Sequence, residues 1–402
     1  MALKILVNSL FSGGAEIQAA LLARALKPAS FLILDGKTAD TAVSLLPRAF
    51  SFLPGALKTL LLPLYAKRLA SHAGPGDTVL SFMPRSNFTN ILAARRTGHR
   101  AVICEVTQPS REFTGLRGRF IQPLIRRLYP EAALTLSNSK GNALDLEENF
   151  GLPPGTIKVI YNACDTAAAR KKAAEPLDGG YEEVFKRPVI ITTGRLTAAK
   201  AHWRLLRIFA EVRKKNQQAA LVLLGAGELH NDLLGLCAAL GLKVHEAGVS
   251  PSLPGGEDVF FTGFQANPYK FMARARLFAF TSLWEGLPNV IIEALACGLP
   301  VISADCRSGP RELLAPATAF NAEAVLPEET TTGLLMPPFK FSPPEFGTAA
   351  DGREKLWAEN ILNLLADVPR LERLAAACRE RAAAFSLKTT IQQWQTLLGP
   401  RA

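Results

Sequence analysis

Short apolar segments alternate with helical patterns along almost the whole chain, and this alternation constrains the fold more than any other feature. The segments predicted to be strands lie at 4–8, 30–34, 78–82, 101–106, 132–137, 157–162, 188–194, 219–225, 259–264, 276–282 and 300–303. Helical stretches lie between most of them. Because strands joined by helices form parallel sheets that the helices cover, the pattern predicts an α/β protein.

The alternation is interrupted at residues 166–187, which are charged, contain Gly and Pro, and lack a strand pattern. We interpret this segment as a linker between two doubly wound, Rossmann-like domains at 1–165 and 188–380, followed by a C-terminal helical segment at 381–402. Ligands bind outside the carboxyl ends of strands in such sheets, so the two domains are expected to face one cleft. Two further segments, rich in Pro, Gly and Thr, are predicted to be loops or insertions: 248–257 and 316–350.

Composition excludes several classes of protein. The chain has 402 residues, of which 48% are hydrophobic and 20% charged, as in soluble globular proteins rather than disordered ones. The longest apolar runs, such as 60–65, are far too short for a bilayer span, and the N-terminus is typical of a first strand rather than a signal peptide. The six cysteines form no CxxC pair, which favours a reduced, cytoplasmic protein with no metal site.

The positive charge lies in the N-terminal third. The net charge is +11, and residues 1–140 carry all of it, with 18 Lys and Arg against 7 Asp and Glu. An anionic partner or surface is therefore expected here, although no nucleic-acid recognition motif is present. The stretches 46–72 and 111–130 mix basic and apolar residues. They suit peripheral contact with an anionic membrane and equally suit ordinary surface helices.

The segment SLWEGLPNVIIEALACGLPVISADCRSGPRELL, at 282–314, carries most of the functional signal. Pro288 suits the first turn of a helix, which Gly298 and Pro300 then end. Glu285 precedes the helix and Glu293 lies within it. The free amides of the first turn form an anion site, so one element offers amides for a phosphate and carboxylates for hydroxyl pairs. A sugar nucleotide needs both.

This segment resembles the signature of retaining glycosyltransferases of family 4, which have the two-domain GT-B fold. The pattern is Glu-x7-Glu with EG-x-P-N between and A-C-G-x-P-V-I-S after. The alternative is an ordinary buried αβ unit with two solvated glutamates. The resemblance implies a C-terminal donor domain, an N-terminal acceptor domain and a final helix that crosses back to the N-terminal domain. Similar proteins are bacterial polysaccharide and glycolipid sugar transferases.

The resemblance assigns roles to this segment. Glu285 would hold the hydroxyls of the transferred sugar as the catalytic carboxylate, and Glu293 the ribose hydroxyls. Backbone amides would stabilise charge on the leaving phosphate. The donor-binding residues implied here are Gly286, Leu287, Pro288, Asn289, Val290 and Glu293.

Two more motifs concern the donor phosphates. The sequence GRLTAAK places Arg195 and Lys200 before a helix that begins near His202, and the matching cations of the family contact the diphosphate. Near the N-terminus, Ser12, Gly13 and Gly14 form a turn that opens a helix. The resemblance assigns Gly14 to the family's glycine loop, whereas a simple βα turn is the alternative.

The segment LVLLGAGELH supplies Gly225 and Gly227, but His230 occupies the third glycine position of a dinucleotide fingerprint. We therefore interpret it as the family's G-x-G-E loop near the nucleoside and not as a nicotinamide site. Phe264 is a candidate for the base pocket and equally for the core.

The acceptor side departs from the family pattern. In AVICEVTQPSREF, at 101–113, Glu105 and Pro109 remain, whereas Val106 and Thr107 replace the usual Arg or His and Asn. The His that many relatives carry in this region is absent. Glu105 is the candidate acceptor-side catalytic residue.

The sequence contains no Asp-x-Asp motif and no metal-ligand spacing, so no metal or other cofactor is expected. The resemblance implies metal-independent, retaining transfer of a hexosyl or N-acetylhexosaminyl group from a nucleotide diphosphate sugar, with UDP as the family's habit. The acceptor would be a hydroxyl of a glycan or a polyprenyl-linked glycolipid. The alternatives are a nucleotide-sugar-binding protein without transfer activity and an epimerase or hydrolase of the same fold. The expected location is the cytoplasm, with peripheral contact at the inner face of the membrane left open.

Overall fold

The computed structural model describes residues 2–9, 13–35, 42–47, 50, 52–250 and 256–399, and only the backbone of residues 55 and 56. Several residues of the segments discussed above lie outside the described residues: Ser12, residues 48, 49 and 51, and residues 251–255. The chain forms two compact units. Unit 1 comprises Met1–Ala163 and Leu387–Ala402, and unit 2 comprises Cys164–Ser386.

Unit 1 is a parallel sheet with helices between its strands. Its strands are β1 (Leu3–Val7), β2 (Ser30–Ile33), β3 (Ala42–Ser44), β4 (Thr78–Phe82), β5 (Arg100–Glu105), β6 (Leu134–Ser137) and β7 (Lys158–Val159). Its helices up to residue 150 are α1 (Gly14–Leu26), α2 (Gly55–Leu60), α3 (Leu62–Ala70), α4 (Pro84–Thr97), α5 (Pro109–Glu112), α6 (Gly115–Leu128) and α7 (Lys140–Phe150). Each predicted strand of this half is present, and β3 was missed because only three residues pair.

The seven strands of unit 1 lie in the order β3-β2-β1-β4-β5-β6-β7, and all neighbours are parallel. The chain begins with β1, a strand inside the sheet. It then adds β2 and β3 on one side of β1, and β4 to β7 on the other. The topological switch point therefore lies between β1 and β4, where ligands of such sheets bind at the carboxyl edge. Continuous apolar strands such as ILV in β1 are buried because helices cover both faces of the sheet.

Unit 2 repeats this plan. Its strands are β8 (Val189–Thr193), β9 (Ala220–Leu224), β10 (Val244–Glu246), β11 (Val259–Phe261), β12 (Leu277–Phe280), β13 (Val301–Ala304), β14 (Glu328–Thr330) and β15 (Gly333–Met336). Its helices are α8 (Thr166–Ala173), α9 (Tyr181–Val184), α10 (His202–Lys215), α11 (His230–Ala239), α12 (Tyr269–Met272), α13 (Asn289–Ala296), α14 (Pro310–Leu314), α15 (Gly352–Ala366) and α16 (Val368–Ala382).

The strand order in unit 2 is β10-β11-β9-β8-β12-β13-β15-β14. All pairs are parallel except the last, β14 with β15. Its switch point lies between β8 and β12. The segment 316–350, predicted to be loops or an insertion, contains both β14 and β15. Gly333 has φ 150° and approaches the Val301 backbone so closely that a side chain would collide with it, which hides the strand from a propensity argument.

The segment interpreted as a linker, 166–187, contains α8 and α9. Helix α8 packs on α12 and α13 within unit 2, and Tyr181 of α9 makes edge contacts with Phe260 and Phe271. These aromatic contacts bury the segment's few large side chains. Residues 166–187 are therefore structured in unit 2.

The last helix, α17 (Leu387–Leu398), belongs to unit 1. Trp394 is buried beside Phe82, with ring centroids 6.1 Å apart. Arg100 donates hydrogen bonds to the carbonyl oxygens of Leu397 and Leu398, which are unpaired at a helix end. The predicted α/β class, the two doubly wound units and the return of the C-terminal helix are confirmed. Across the described part of the chain, no helix has the length and apolarity needed to cross a bilayer.

Candidate functional site

The loops that follow β8 and β12 meet at the switch point of unit 2. The first loop contains the short 3-10 turn Ala198–Lys200, and the second contains Glu285. Lys200 Nζ forms an ion pair with Glu285 Oε1, and it also lies over the Phe280 ring, 5.4 Å from the centroid. Both side chains remain partly exposed. Residues 85 positions apart are thus joined at the place where doubly wound sheets bind ligands.

The Glu285 loop is held by the loop that follows β13. Glu285 N donates to Arg307 O and Ser308 N donates to Glu285 O, both at 3.0 Å. Ser308 Oγ donates to Gly286 O at 2.9 Å. Gly309 has φ 104°, and a Cβ there would lie 2.6 Å from Pro288 Cδ. These contacts fix the loop before α13, and the sequence analysis did not identify Ser308 or Gly309.

Arg195 lies in the same loop as Lys200 but points outward. Its side chain is exposed, and it makes no hydrogen bond or ion pair with any described residue. Gly194 lies beside the Lys200 side chain, whose Cε would be 3.5 Å from an added Cβ. One cation is therefore engaged by a carboxylate, while the other is free to contact an anion.

The two glycines after β9 serve close backbone packing. Gly225 has φ 144°, and a Cβ there would lie 1.9 Å from Gly194 O. A Cβ on Gly227 would lie 2.4 Å from Leu196 O. The loop after β9 thus rests directly on the loop that carries Arg195. This packing accounts for both glycines whether or not a ligand touches them.

Glu293 lies one turn into α13, after Pro288 at the N-cap. Its carboxylate has no hydrogen-bond or ion-pair partner among the described residues, and part of its surface is exposed. Enough protein surrounds it that burial raises its pKa to about 7, although the positive charge of Lys172 lowers it. An unpaired carboxylate at this position can accept hydrogen bonds from paired hydroxyls.

Three other predicted residues are placed as follows. Phe264 follows β11 and is 69% exposed, so the alternative that it belongs to the core is wrong. His202 begins α10 and is buried, and burial lowers its pKa to about 3. Gly14 is the first residue of α1 and is exposed, at the carboxyl end of β1.

Glu105 is not placed where it could contact an acceptor. It ends β5 with 0% exposure. Its Oε1 accepts hydrogen bonds from Val106 N, Thr107 N and Thr107 Oγ1 at 2.9–3.1 Å, and Oε2 accepts from Tyr129 OH at 2.6 Å. Burial raises its pKa to about 6, and these hydrogen bonds lower it. The prediction of a catalytic role is corrected accordingly: the carboxylate holds the loop at 105–107.

The Glu105 contacts continue through the interior of unit 1. Tyr129 OH accepts from Asn87 Nδ2, and Ser81 Oγ donates to Asn87 Oδ1. Asn90 Nδ2 donates to Ser81 Oγ at 3.0 Å. Strand position alone could not show that these polar residues form one buried chain, because they come from β4, α4 and β5 and from the turn that follows α6.

The described residues include no group of three or more His, Cys, Asp or Glu side chains arranged to hold a metal ion. Charged groups at the carboxyl edge of unit 2 include the Lys200–Glu285 pair, Arg195 and Glu293. Together with the amides before α13, they can bind an anion and a set of hydroxyls.

Comparison with known proteins agrees with this arrangement. Two family models match consecutive parts of the chain: "Glycosyltransferase Family 4" at residues 12–168 and "Glycosyl transferases group 1" at 187–343. An uncharacterized glycosyltransferase of Methanocaldococcus jannaschii is 32% identical over 288 residues, which are 71% of this chain and 68% of that protein.

A second relative comes from Campylobacter jejuni and is named N-acetylgalactosamine-N,N'-diacetylbacillosaminyl-diphospho-undecaprenol 4-alpha-N-acetylgalactosaminyltransferase. It is 39% identical over 267 residues, which are 64% of this chain and 66% of that protein.

Solved structures share the fold. The Anabaena protein HepE, in complex with UDP, matches with a TM-score of 0.72 and 22% identity over 99% of both chains. Sucrose-phosphate synthase from Thermosynechococcus elongatus matches with a TM-score of 0.75 and 18% identity over 99% of this chain and 98% of that one. On the strength of the archaeal relative and the two family models, this chain belongs to the family 4 glycosyltransferases, which have the GT-B fold.

Proposed function

We propose that the protein transfers a hexosyl or N-acetylhexosaminyl group from a UDP-sugar to a hydroxyl of a polyprenyl-diphosphate-linked glycan, with retention at the anomeric carbon. The observation that carries the donor side is the Lys200–Glu285 pair at the switch point of unit 2, with the exposed Arg195 beside it. The acceptor class is supported by the name of the Campylobacter relative, which describes transfer to a diphospho-undecaprenol substrate.

The donor diphosphate would bind to Arg195 and Lys200 and to the amides at the start of α13. Arg offers a planar fork of donors and Lys a compact charge, and both stabilise charge on a leaving phosphate. Because these groups supply positive charge themselves, we propose that transfer needs no metal. Transfer at an undiminished rate after chelation and dialysis is the expected result, and restoration by Mg²⁺ or Mn²⁺ would contradict it.

The carboxylates of Glu293 and Glu285 would bind different hydroxyl groups of the donor. Glu293 has no hydrogen-bond or ion-pair partner in the part of the chain that the structure describes, so its oxygens would be available to the ribose hydroxyls. Glu285 is fixed by Lys200 and by the loop after β13, so it would orient hydroxyls of the transferred sugar. Its charge is already paired, which makes it a poor nucleophile. Retention would then depend on positioning and charge stabilisation rather than on a covalent sugar–enzyme bond.

The first experiment is calorimetric titration of the metal-free protein with UDP, GDP and ADP. Saturable binding of UDP alone is expected. Binding weakened about tenfold or more in Glu293→Ala would support the ribose assignment, because a charged acceptor of this kind contributes about 1.5–3 kcal/mol. Unchanged affinity in that variant would overturn it, and preference for GDP or ADP would overturn the choice of uridine. The anomeric configuration of the product, read by NMR, tests retention.

Contact with an anionic membrane through unit 1 is the second part of the proposal. Helix α6 buries Gly118, Ile121 and Ile125, whereas Leu116 and Phe120 are exposed among exposed arginines. This mixture of apolar and basic side chains suits the interface of a bilayer that contains anionic lipids. The protein is then expected to work at the cytoplasmic face of a membrane.

Sedimentation with vesicles of anionic or neutral lipid tests this contact. The variant neutralises four arginines of α6: Arg117, Arg119, Arg126 and Arg127. Wild-type protein should sediment with anionic vesicles and be released by salt, and the variant should remain in solution. Equal sedimentation of the two proteins, or none for the wild type, would contradict membrane contact through α6.

A further inference from the structure

Arg85 occupies the switch point of unit 1, in the first turn of α4 directly after β4. Its side chain is only 20% exposed. Within the described residues its guanidinium donates no hydrogen bond, and its buried Nε has no partner at all. The nearest carboxylate is Asp35, whose Oδ2 lies 3.8 Å from the Arg85 Nη1 atom. A guanidinium has five donors, so this one is left largely unsatisfied.

Asp35 forms an ion pair with Arg85 but accepts no hydrogen bond from it, because 3.8 Å is beyond hydrogen-bond distance. Lys58 Nζ lies 2.6 Å from Oδ1, and Tyr65 OH donates to Oδ2 at 2.7 Å. Among the described residues of this cluster, the one carboxylate, Asp35, faces the two cations Lys58 and Arg85.

The positive charge of a second arginine affects the pKa of Arg85. Burial lowers the pKa of Arg85, and the positive charge of Arg117 lowers it further, whereas Asp35 raises it. Arg117 thus adds to the positive charge that Arg85 experiences. A phosphate would supply the acceptors that this guanidinium lacks, because a guanidinium binds phosphate oxygens through paired, charge-assisted hydrogen bonds.

The surface next to this cluster is apolar. Lys58 lies on α2, and Leu57 and Leu60 of the same helix are exposed, as is Phe52 just before it. Lys58 turns its ammonium toward Asp35 while its helical neighbours face the solvent. A ligand with an anionic head and an apolar chain would match both features at once, whereas a nucleotide or a free sugar phosphate would leave the leucines exposed.

We propose that Arg85, with Lys58 beside it, binds the diphosphate of a polyprenyl diphosphate-linked acceptor, and that Leu57 and Leu60 contact its first isoprene units. The identity of the ligand rests on the proposed transfer to a lipid-linked acceptor, and the site deepens that proposal by locating the head group. The carboxyl edge of a doubly wound sheet, at its switch point, is where such a ligand is expected.

The test is binding of farnesyl diphosphate to the full-length protein, with inorganic pyrophosphate and UDP as competitors. Arg85→Gln should weaken farnesyl diphosphate binding by about tenfold or more, because a charge-assisted pair of hydrogen bonds is lost. Arg95→Gln is the matched control. It changes the same residue type on the same helix, at an exposed pair with Glu131, and should alter binding less than about twofold.

A second variant does not disturb the interior. Leu57→Ser combined with Leu60→Ser changes only exposed side chains, and it should weaken farnesyl diphosphate binding severalfold while leaving pyrophosphate binding unchanged. Competition by pyrophosphate but not by UDP supports the assignment to an acceptor head group.

Three results would overturn the site: no saturable binding by the wild type, equal binding by Arg85→Gln, or displacement by UDP as effective as by pyrophosphate. These outcomes are independent of nucleotide binding in unit 2. Farnesyl diphosphate binding without UDP binding would contradict the donor assignment alone, and the converse would contradict the Arg85 site alone.

Discussion

The carboxyl edges of the two parallel sheets use their ionisable groups in opposite ways. In unit 2, Lys200 and Glu285 pair in a partly exposed position, and Arg195 faces the solvent. In unit 1, the carboxylate at the end of β5, Glu105, is sealed inside and accepts four hydrogen bonds from its own unit. Among the described residues at that edge, the buried Nε of Arg85 has no hydrogen-bond partner.

The difference teaches that a carboxylate at a strand end is not by itself a catalytic candidate. Whether such a carboxylate can bind a ligand depends on whether its oxygens already accept hydrogen bonds from the protein. The Glu105 carboxylate accepts hydrogen bonds from Tyr129 and from the two residues that follow Glu105, whereas the Glu293 carboxylate accepts none from any described residue. Each prediction below tests one side of this contrast.

The largest effect is expected at the open edge. Lys200→Met removes the partner of Glu285 and one of the cations proposed for the donor phosphates, so kcat should fall by about 100-fold or more. Lys214→Met is the matched control on α10, since Lys214 pairs with Glu211 at the surface. Transfer rates within a few-fold of each other in the two variants would remove Lys200 from the donor site.

The loops of the open edge depend on direct backbone packing. Gly225→Ala would place a methyl group 1.9 Å from Gly194 O at a φ of 144°, so the free energy of unfolding should fall by about 2–4 kcal/mol. Gly235→Ala in α11 meets nothing within 4 Å and should instead stabilise by about 0.5–1 kcal/mol. Urea unfolding measures the stability of both variants. Equal midpoints would show that the loop after β9 shifts to accommodate the added methyl group.

The sealed edge should lose stability when its hydrogen-bonded chain is cut. Tyr129→Phe removes the donor to Glu105 Oε2, which should cost about 1–3 kcal/mol of unfolding free energy. Lys186→Met, at the exposed pair with Glu183, should change it by less than about 0.5 kcal/mol. Chemical denaturation measures both variants. An unchanged midpoint in Tyr129→Phe would show that this buried series of hydrogen bonds does not stabilise the fold.

The pH dependence of this loss has a definite sign. The pKa of Glu105 rises from 4.5 to about 6 on folding, so its protonation favours the folded state fully below about pH 4.5, and that contribution is lost as pH rises through about 6. Without the Tyr129 hydroxyl the folded pKa should be higher still. The destabilisation by Tyr129→Phe should therefore be greater at pH 7.5 than at pH 5, and the reverse trend would contradict the geometry.

The smallest expected effect concerns Glu293. Because its pKa is raised to about 7, the carboxyl is mostly protonated at pH 6 and mostly ionised at pH 8. The ionised form accepts hydrogen bonds from ribose better, so UDP should bind up to about tenfold more tightly at pH 8. The UDP phosphates also titrate, and Glu293→Gln provides the correction. An identical pH profile in this variant would show that Glu293 does not contact the ribose.

Local pattern in the sequence determined the fold class and the donor segment. Apolar runs of strand length are buried on both faces of a parallel sheet, so their alternation with helices indicates a parallel α/β fold. The residues between Glu285 and Glu293 are contiguous, and a loop followed by a helix places them without help from distant parts of the chain. The resemblance to family 4 glycosyltransferases rested on the same local order.

Only the tertiary structure decided which polar groups are open. Asp35 lies in the loop after β2, Arg85 in the first turn of α4 and Lys58 on α2. Whether a donor among them is left unsatisfied is a property of their distances, which no local pattern contains. The same holds for Glu105, because its partner Tyr129 lies 24 positions away. It also holds for Gly225, because the need for glycine there comes from the nearby backbone of Gly194. Burial and pairing are sums over neighbours brought together by folding, so they follow from packing and not from spacing.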